Sequence, residues 1–299
     1  MTRTTLASAF FVPFLAGCNL NPAACPCNSG SGAGGDQTQP VVNLQVTEYK
    51  DAAAFEKIIG ELEARGITAT VLVDADFATE NCERLRALDT NVFEIMAFAR
   101  PEDRDGQKMT LSMLTYDEQE QLITDLKSAI ETCLGKTITG FRCTRFDQNE
   151  DTYAILDSLG FEYNLGFVAQ TDACLPGHEA DTAPYAAPGH EFWVVPMHSA
   201  YDDGEWVAFC DNPFQDRVDA EGWEQLLKSE LDSMRSQNRP LLVEVHPYFS
   251  GVDEGHFNAF VSFLDYAVQQ NARFVSVAEL VQSTSSQQSS DGCPPCSED

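Results

Sequence analysis

The first 177 residues contain no histidine; all five, His178, His190, His198, His246 and His256, come later in the chain. A centre that needs a pair of imidazoles from the N-terminal half is thereby excluded. Lysine is scarce too: only six of the 18 basic residues are Lys, against 47 Asp and Glu, and the formal charge is −29 over 299 residues. Such a surface repels phosphate backbones and anionic headgroups, which argues against a nucleic-acid partner. No apolar run reaches the ~18 residues of a spanning helix. A hydrophobic content of 43% with 19 Phe argues against a disordered chain. The length is ample for a buried core, in one large domain or two modest ones.

What is present begins with a short apolar segment, residues 6–17, behind a single charge, Arg3. It reads as an export signal. Its end, Leu15-Ala16-Gly17-Cys18, resembles a bacterial lipobox. That resemblance implies cleavage before Cys18, lipid on the Cys18 thiol and the new amino group, and contact with a membrane through the acyl chains alone. The expected location is exported and lipid-anchored to the cell envelope, an ordinary signal peptide with an incidental Cys being the alternative. Ten Cys agree with an oxidising compartment. With Cys18 set aside nine remain, so at least one is free or pairs between chains. Cys25-Pro-Cys27 and Cys293-Pro-Pro-Cys296 lie in the tails and read as disulfides or a tail-to-tail clip, ahead of metal or redox sites. Cys174 and Cys210 bracket a loop-rich stretch and are the expected disulfide of the domain.

Residues 18–40, rich in Gly, Ser, Asn, Pro and Gln, read as a flexible tether, and residues 282–299 as a second, disordered polar tail. The folded domain is then residues 41–281. Within it strands and helices alternate. Residues 41–48 read as a strand, and 51–65 as a helix with Phe55, Ile58, Ile59 and Leu62 on one face, stopped by Gly66. A β-branched strand at 68–74, a short helix at 79–88 and a strand at 92–98 follow. Residues 115–134 form the clearest helix, opened by the capping box Thr115-Tyr116-Asp117-Glu118, with Leu122, Leu126, Ala129, Ile130 and Cys133 turned inward. Then come a strand at 138–143, a helix at 149–159, a strand at 163–167 and a loop at 168–191. The strand 192–197, the helix 221–236, the strand 241–245, the helix 254–270 and the strand 273–277 complete the chain. This alternation implies an α/β fold with a parallel sheet covered on both faces and a site at the carboxyl ends of the strands.

Those ends carry Glu48, Asp74 and Asp76, the segment 98–100, Arg142 with Arg145, and His246-Pro247. An Arg, a His and several carboxylates on one rim suit acid–base or metal chemistry. The segments TATVLVDADF, GFRCTRF with the helix and strand after it, and LLVEVHP resemble, in order and spacing, the polysaccharide deacetylase family of NodB-homology domains, carbohydrate esterase family four. The resemblance spans residues 42–280 and implies a distorted (β/α)7-type barrel. It also implies hydrolysis of the N-acetyl amide of an amino-sugar glycan, such as a cell-wall polysaccharide, by water activated on a divalent metal, usually zinc.

The family holds that metal with one Asp and two His, with a second Asp as base. Here the first strand ends Val46-Thr47-Glu48-Tyr49, Phe98 stands near the first His, and Glu102 or Asp103 near the second. The usual metal ligands are therefore absent. Arg142 matches the Arg that holds the base carboxylate, with Thr144 in place of the next Pro, and His246 matches the general acid. One hypothesis is an exported amidase with His246 as acid, Glu48 or Asp74 as base and Arg142 orienting the carboxylate, its ordinary zinc-dependent turnover altered or lost. The other is a non-catalytic surface lipoprotein that binds a glycan or a partner on the same fold. A sugar-active barrel enzyme working with two carboxylates is a weaker third. Arg145, Trp193 and Trp206 are candidate sugar contacts. A relocated metal among His178, Glu179, Asp181, His190, His198 and His256, with the Pro-Gly-His-Glu phrase repeated at His178 and His190, competes with plain loop histidines.

Overall fold

A computed structural model describes residues 39–290, with side chains through residue 286. The signal-like segment, Cys18, the tether to residue 38 and the tail cysteines Cys25, Cys27, Cys293 and Cys296 lie outside the described residues. The elements in order are β1 (Val41–Glu48), α1 (Ala52–Arg65), β2 (Ala69–Val73), α2 (Ala75–Glu80), α3 (Cys82–Ala87), β3 (Phe93–Ala99), α4 (Tyr116–Leu134), β4 (Gly140–Cys143) and α5 (Glu150–Ser158). There follow β5 (Tyr163–Asn164), β6 (Tyr185–Ala186), β7 (Trp193–Val194), β8 (Ser199–Asp202), β9 (Glu205–Ala208), α6 (Asp211–Phe214), α7 (Ala220–Ser236), β10 (Leu241–Val245), α8 (Glu254–Gln269), β11 (Arg273–Phe274) and α9 (Val277–Ser290).

The main sheet runs β10-β1-β2-β3-β4-β5-β7-β6, with β11 also paired to β1. Every neighbour from β10 to β7 is parallel, and only β6 is antiparallel. The sheet is curled, as a distorted (β/α)7-type barrel requires. Its free β10 edge is extended by the segment around Cys210, which bridges to Glu244.

Period-two alternation sets what each face does. On β1, Val42, Leu44 and Val46 join the helix-facing core, while the equally buried Asn43, Gln45 and Thr47 occupy the other face. Leu72, Met96, Phe98 and Leu242 form a second apolar cluster with that inner face. Helix α1 shows how the outer layer is held: Phe55, Ile58, Ile59 and Leu62 are at most 1% exposed, each such burial stabilising by roughly 1.5–3 kcal/mol. Gly66 ends that helix at φ 62, the left-handed conformation expected of it. Gly140 begins β4 where a Cβ would lie 2.4 Å from Met96 and 2.5 Å from Tyr163.

Four expectations are corrected. The disulfide is not between Cys174 and Cys210, which are free thiols; Cys82 and Cys133 are joined instead, tying α3 to α4. Sequence separation carries no information on which side chains two helices bring within 5.4 Å (Cα–Cα). The helix expected at 79–88 is two short ones, divided at Asn81, whose backbone at φ −112, ψ 23 leaves the helical region. On α4, Leu126, Ile130 and Cys133 face inward as expected, but Ile123 is fully buried where Leu122 is only partly so and Ala129 is not in the buried set. Finally, the tail expected from residue 282 starts as helix: α9 continues to Ser290. It is launched by Glu94, which accepts the N–H groups of Val277 and Ala278, and Ser283 and Thr284 bond back to the carbonyl of Leu280. The hairpin β8–β9 has no counterpart in the sequence reading. Its turn is Asp203-Gly204, both left-handed at φ 44 and 92, a two-residue turn signal in the sequence.

Candidate functional site

The site lies at the carboxyl ends of the parallel strands, and strand parity decides which rim residues face it. Glu48 shares the parity of Val46, so it falls on the helix side. Its Oε1 accepts the N–H groups of Tyr49, Lys50 and Asp51 at 2.8, 2.7 and 3.0 Å, and its buried Oε2 has no partner. Burial raises its pKa while the three amides pull it down. Glu48 anchors the turn into α1 and does not line the cleft. Asp74 is occupied as well: it caps α2 by accepting the Phe77 N–H at 2.9 Å, and its other oxygen takes Arg100 Nη2 at 3.1 Å. Neither carboxylate is bonded to Arg142 or His246, so the expected pairing of Arg142 with one of them is corrected.

The partner of Arg142 is Glu244. Arg142, on β4, is 3% exposed and reaches across the barrel to β10, where its Nη2 donates to Glu244 Oε2 at 2.6 Å. Gln45 and Thr47 complete the inner wall: Arg142 Nη1 lies 3.4 Å from Gln45 Oε1, and Thr47 Oγ1 donates to Glu244 Oε1 at 2.5 Å. Burial opposes the charge on Glu244, but Arg142 and His246 outweigh it and hold the carboxyl down to about 2. His246, two residues on and so on the same face, stands at 3.4 Å (Nε2) from Glu244 Oε1.

Asp211, at the start of α6, fixes the imidazole. Its Oδ1 lies 2.6 Å from His246 Nδ1, and its Oδ2 accepts the His246 N–H at 2.8 Å and the Ser250 hydroxyl at 2.5 Å. Burial disfavours the charged imidazole, yet the two carboxylates around it prevail and raise its pKa. Sequence reading missed Asp211 and Glu244. Glu244 had a signal, since residues two apart on a strand share a face. Asp211 had none, being 35 residues away from His246 in an irregular stretch.

Above this network opens a cleft of about 900 Å³. Its walls carry the rings of Tyr49, Phe98, Phe146 and Tyr248, and the cations Lys50, Arg100 and Arg145. The rings are mutually supported. Tyr49 stacks on Phe98 at 5.9 Å and meets Tyr248 edge-on at 5.1 Å, and the Tyr248 hydroxyl accepts from Asn212 at 2.9 Å. Of the expected sugar contacts, Arg145 lines the cleft, held at φ 58. The two tryptophans do not. Trp193, on β7, packs against the inner apolar cluster, and Trp206, on β9, meets Tyr201 and borders a separate cavity of about 260 Å³.

The residues do not fit the divalent metal that the resemblance implies. At the ends of β1 and β3, where ligands would be needed, Tyr49 and Phe98 stack instead. Arg100 lies 4.5 Å over the Tyr49 ring and Lys50 3.6 Å over that of Tyr248, so two basic side chains occupy the surroundings. Asp103 is bridged to Lys108 at 2.8 Å. Among the described residues Cys210, Asp211 and His246 are the one group of donors close enough to share an ion. Two of them are already engaged: Asp211 Oδ1 by His246 Nδ1 and Asp211 Oδ2 by the His246 N–H and the Ser250 hydroxyl, while burial pushes the Cys210 thiol pKa up, against the thiolate a metal takes. The loop histidines are each taken by a different carboxylate, His178 by Asp181 and His190 by Asp157, both at 2.7 Å.

No family model matches the sequence, and no curated protein sequence matches it. Solved structures do match. A Pseudomonas aeruginosa protein assigned as a polysaccharide deacetylase superposes with a TM-score of 0.62 at 14% identity, over 84% of this chain and 95% of that one. A mutant of the Bacillus subtilis peptidoglycan deacetylase gives 0.54 at 14%, over 86% and 96%. The fold is that of the polysaccharide deacetylases. A third structure with the deacetylase fold is a mutant of a CE4 family pseudoenzyme with restored enzymatic activity, from Bacillus anthracis, at TM-score 0.51 and 12% identity over 82% and 69%. The segments GFRCTRF and LLVEVHP, on which the resemblance rests, form β4 and β10 with the turns that follow them.

Proposed function

We propose that this chain is a glycan-binding lipoprotein of the cell envelope, built on a deacetylase fold from which metal-dependent amide hydrolysis has been lost. The observation that carries the reading is the Tyr49–Phe98 stack, which puts two rings where a metal centre needs donors. Losing the Lewis acid removes several kcal/mol of transition-state stabilisation for attack on an amide. What remains is a concave site with ring faces and a few directed polar groups, the composition of a ligand pocket. Ring faces suit the apolar faces of sugars. Structures of like fold include a peptidoglycan deacetylase and a CE4 family pseudoenzyme, which supports a polysaccharide as the ligand class. Export and lipidation are supported by the Leu15-Ala16-Gly17-Cys18 segment and by the Cys82–Cys133 disulfide, a bond that persists in oxidising compartments.

A second reading, a residual amidohydrolase, is favoured by one observation: His246 lines the cleft and is oriented by Asp211, as a general acid requires. Calorimetric titration of the full chain with soluble peptidoglycan fragments and chitin oligomers tests the binding reading. Binding that Tyr49→Ala weakens about tenfold, the equivalent of about 1.4 kcal/mol, supports it. Absence of binding to every glycan, or binding indifferent to Tyr49→Ala, contradicts it.

A further inference from the structure

The chain carries 47 acidic residues against 18 Lys and Arg, yet the cleft reverses that balance. Five Lys and Arg side chains line it, against two carboxylates, Asp103 and Glu244. Three smaller cavities show no such excess of cations. Three of the five are matched: Arg142 by Glu244, Lys108 by Asp103 and Arg100 by Asp74. Lys50 and Arg145 are left without a carboxylate within ion-pair distance among the described residues. Lys50 rests on the rings of Tyr248 and Tyr49, at 3.6 and 5.2 Å. The Asp103 carboxylate that feels Arg145 is already bridged by Lys108.

Leaving two exposed cations unmatched in a concavity, in so acidic a chain, needs a reason. The backbone strengthens the point. Arg145 and Phe146 are consecutive non-glycine residues in the left-handed region, at φ 58 and 56. That conformation is disfavoured for L-residues and is retained where the surroundings enforce it, commonly at functional sites. Here it sets Arg145 on the cleft wall while Phe146 lies under the Arg142 guanidinium at 4.5 Å. A guanidinium offers a planar fork of donors to an oxyanion, and an ammonium held over a ring keeps its remaining donors free.

We propose that the cleft selects an acidic glycan, a saccharide whose units carry a carboxylate or a sulfate, through Lys50 and Arg145. The proposal rests on the glycan-binding reading and adds the charge of the ligand to it. The rings of Tyr49, Phe98 and Tyr248 take the sugar faces and the two cations take the anionic substituent. Elsewhere the acidic surface repels polyanions, so recognition depends on these two side chains.

The test is calorimetric titration of the full chain with four probes: an oligogalacturonate, its methyl ester, a sulfated oligosaccharide and a neutral chitin oligomer. The acid is expected to bind at least tenfold tighter than its neutral ester. Lys50→Gln and Arg145→Gln are each expected to cost roughly tenfold with the anionic probe and less than about twofold with neutral ones. Both residues are exposed, so the substitutions leave the core intact, and Lys136→Gln, at the opposite end of β4, is expected to change nothing. Tighter binding of the sulfated probe than of the carboxylate one supports the proposal and names the anion. Equal binding of acid and ester, with both variants silent, overturns it and leaves the glycan-binding reading standing. Failure of every saccharide to bind in a manner sensitive to Tyr49→Ala overturns both.

Discussion

Arg142 and Glu244 form an ion pair across the barrel interior, with side chains 4% and 0% exposed. Desolvation of two charges is offset only by close geometry and further hydrogen bonds, which Gln45 and Thr47 supply. Breaking one half is therefore costly. Arg142→Ala is expected to lower stability by about 3–5 kcal/mol in urea unfolding, because it strands a buried carboxylate. The double variant Arg142→Met with Glu244→Leu, which removes both charges, is expected to recover much of that loss. Equal destabilisation by the single and double variants would show that the pair is not what holds the barrel interior.

Glu244 and His246 tie stability to pH in opposite directions. The folded carboxyl of Glu244 is depressed from 4.5 to about 2, so its contribution is present above pH 4.5 and is lost as the pH falls toward 2. His246 is raised above 6.5, so its contribution is complete below that pH and is lost as the pH climbs through the folded value. The stability difference between wild type and His246→Gln, followed by urea unfolding, is expected to shrink steadily above pH 6.5. A difference that grows with pH would mean that the imidazole is held neutral.

The Cys82–Cys133 bond closes a span of 51 residues between two helices. Its removal in Cys82→Ala with Cys133→Ala is expected to cost roughly 2–4 kcal/mol. Peptide mapping of alkylated, unreduced protein is expected to recover these two as a linked pair and Cys174 as a modified thiol. A linked Cys174–Cys210 peptide would contradict this pairing.

Trp206, a candidate sugar contact by sequence, borders a different cavity from the cleft. Trp206→Ala is accordingly expected to leave the titration of soluble peptidoglycan fragments within about twofold of wild type, where Tyr49→Ala costs about tenfold. The reverse ranking would move the ligand to the β8–β9 hairpin.

Local chemistry explains what the sequence made legible. The strand β1, the cap Thr115–Glu118, the stop at Gly66 and the placement of Arg142 and His246 at strand ends all follow from period, capping and turn rules that act within a few residues. Glu48 differs from the inward-facing Thr47 by a single step of parity, enough to turn a side chain from one face of a sheet to the other. Asp211 and the Cys82–Cys133 bond depend on how distant elements meet, which no local pattern encodes. The absence of an N-terminal histidine pair pointed to an altered centre, but only the structure supplied what stands there: two stacked rings flanked by Lys50 and Arg100.

The most direct test of the account is acetate release from chitin oligomers and peptidoglycan by the full chain with zinc or cobalt added. The account predicts none above the protein-free control at any metal concentration. Acetate formation that depends on the added metal and is abolished by His246→Ala would contradict it.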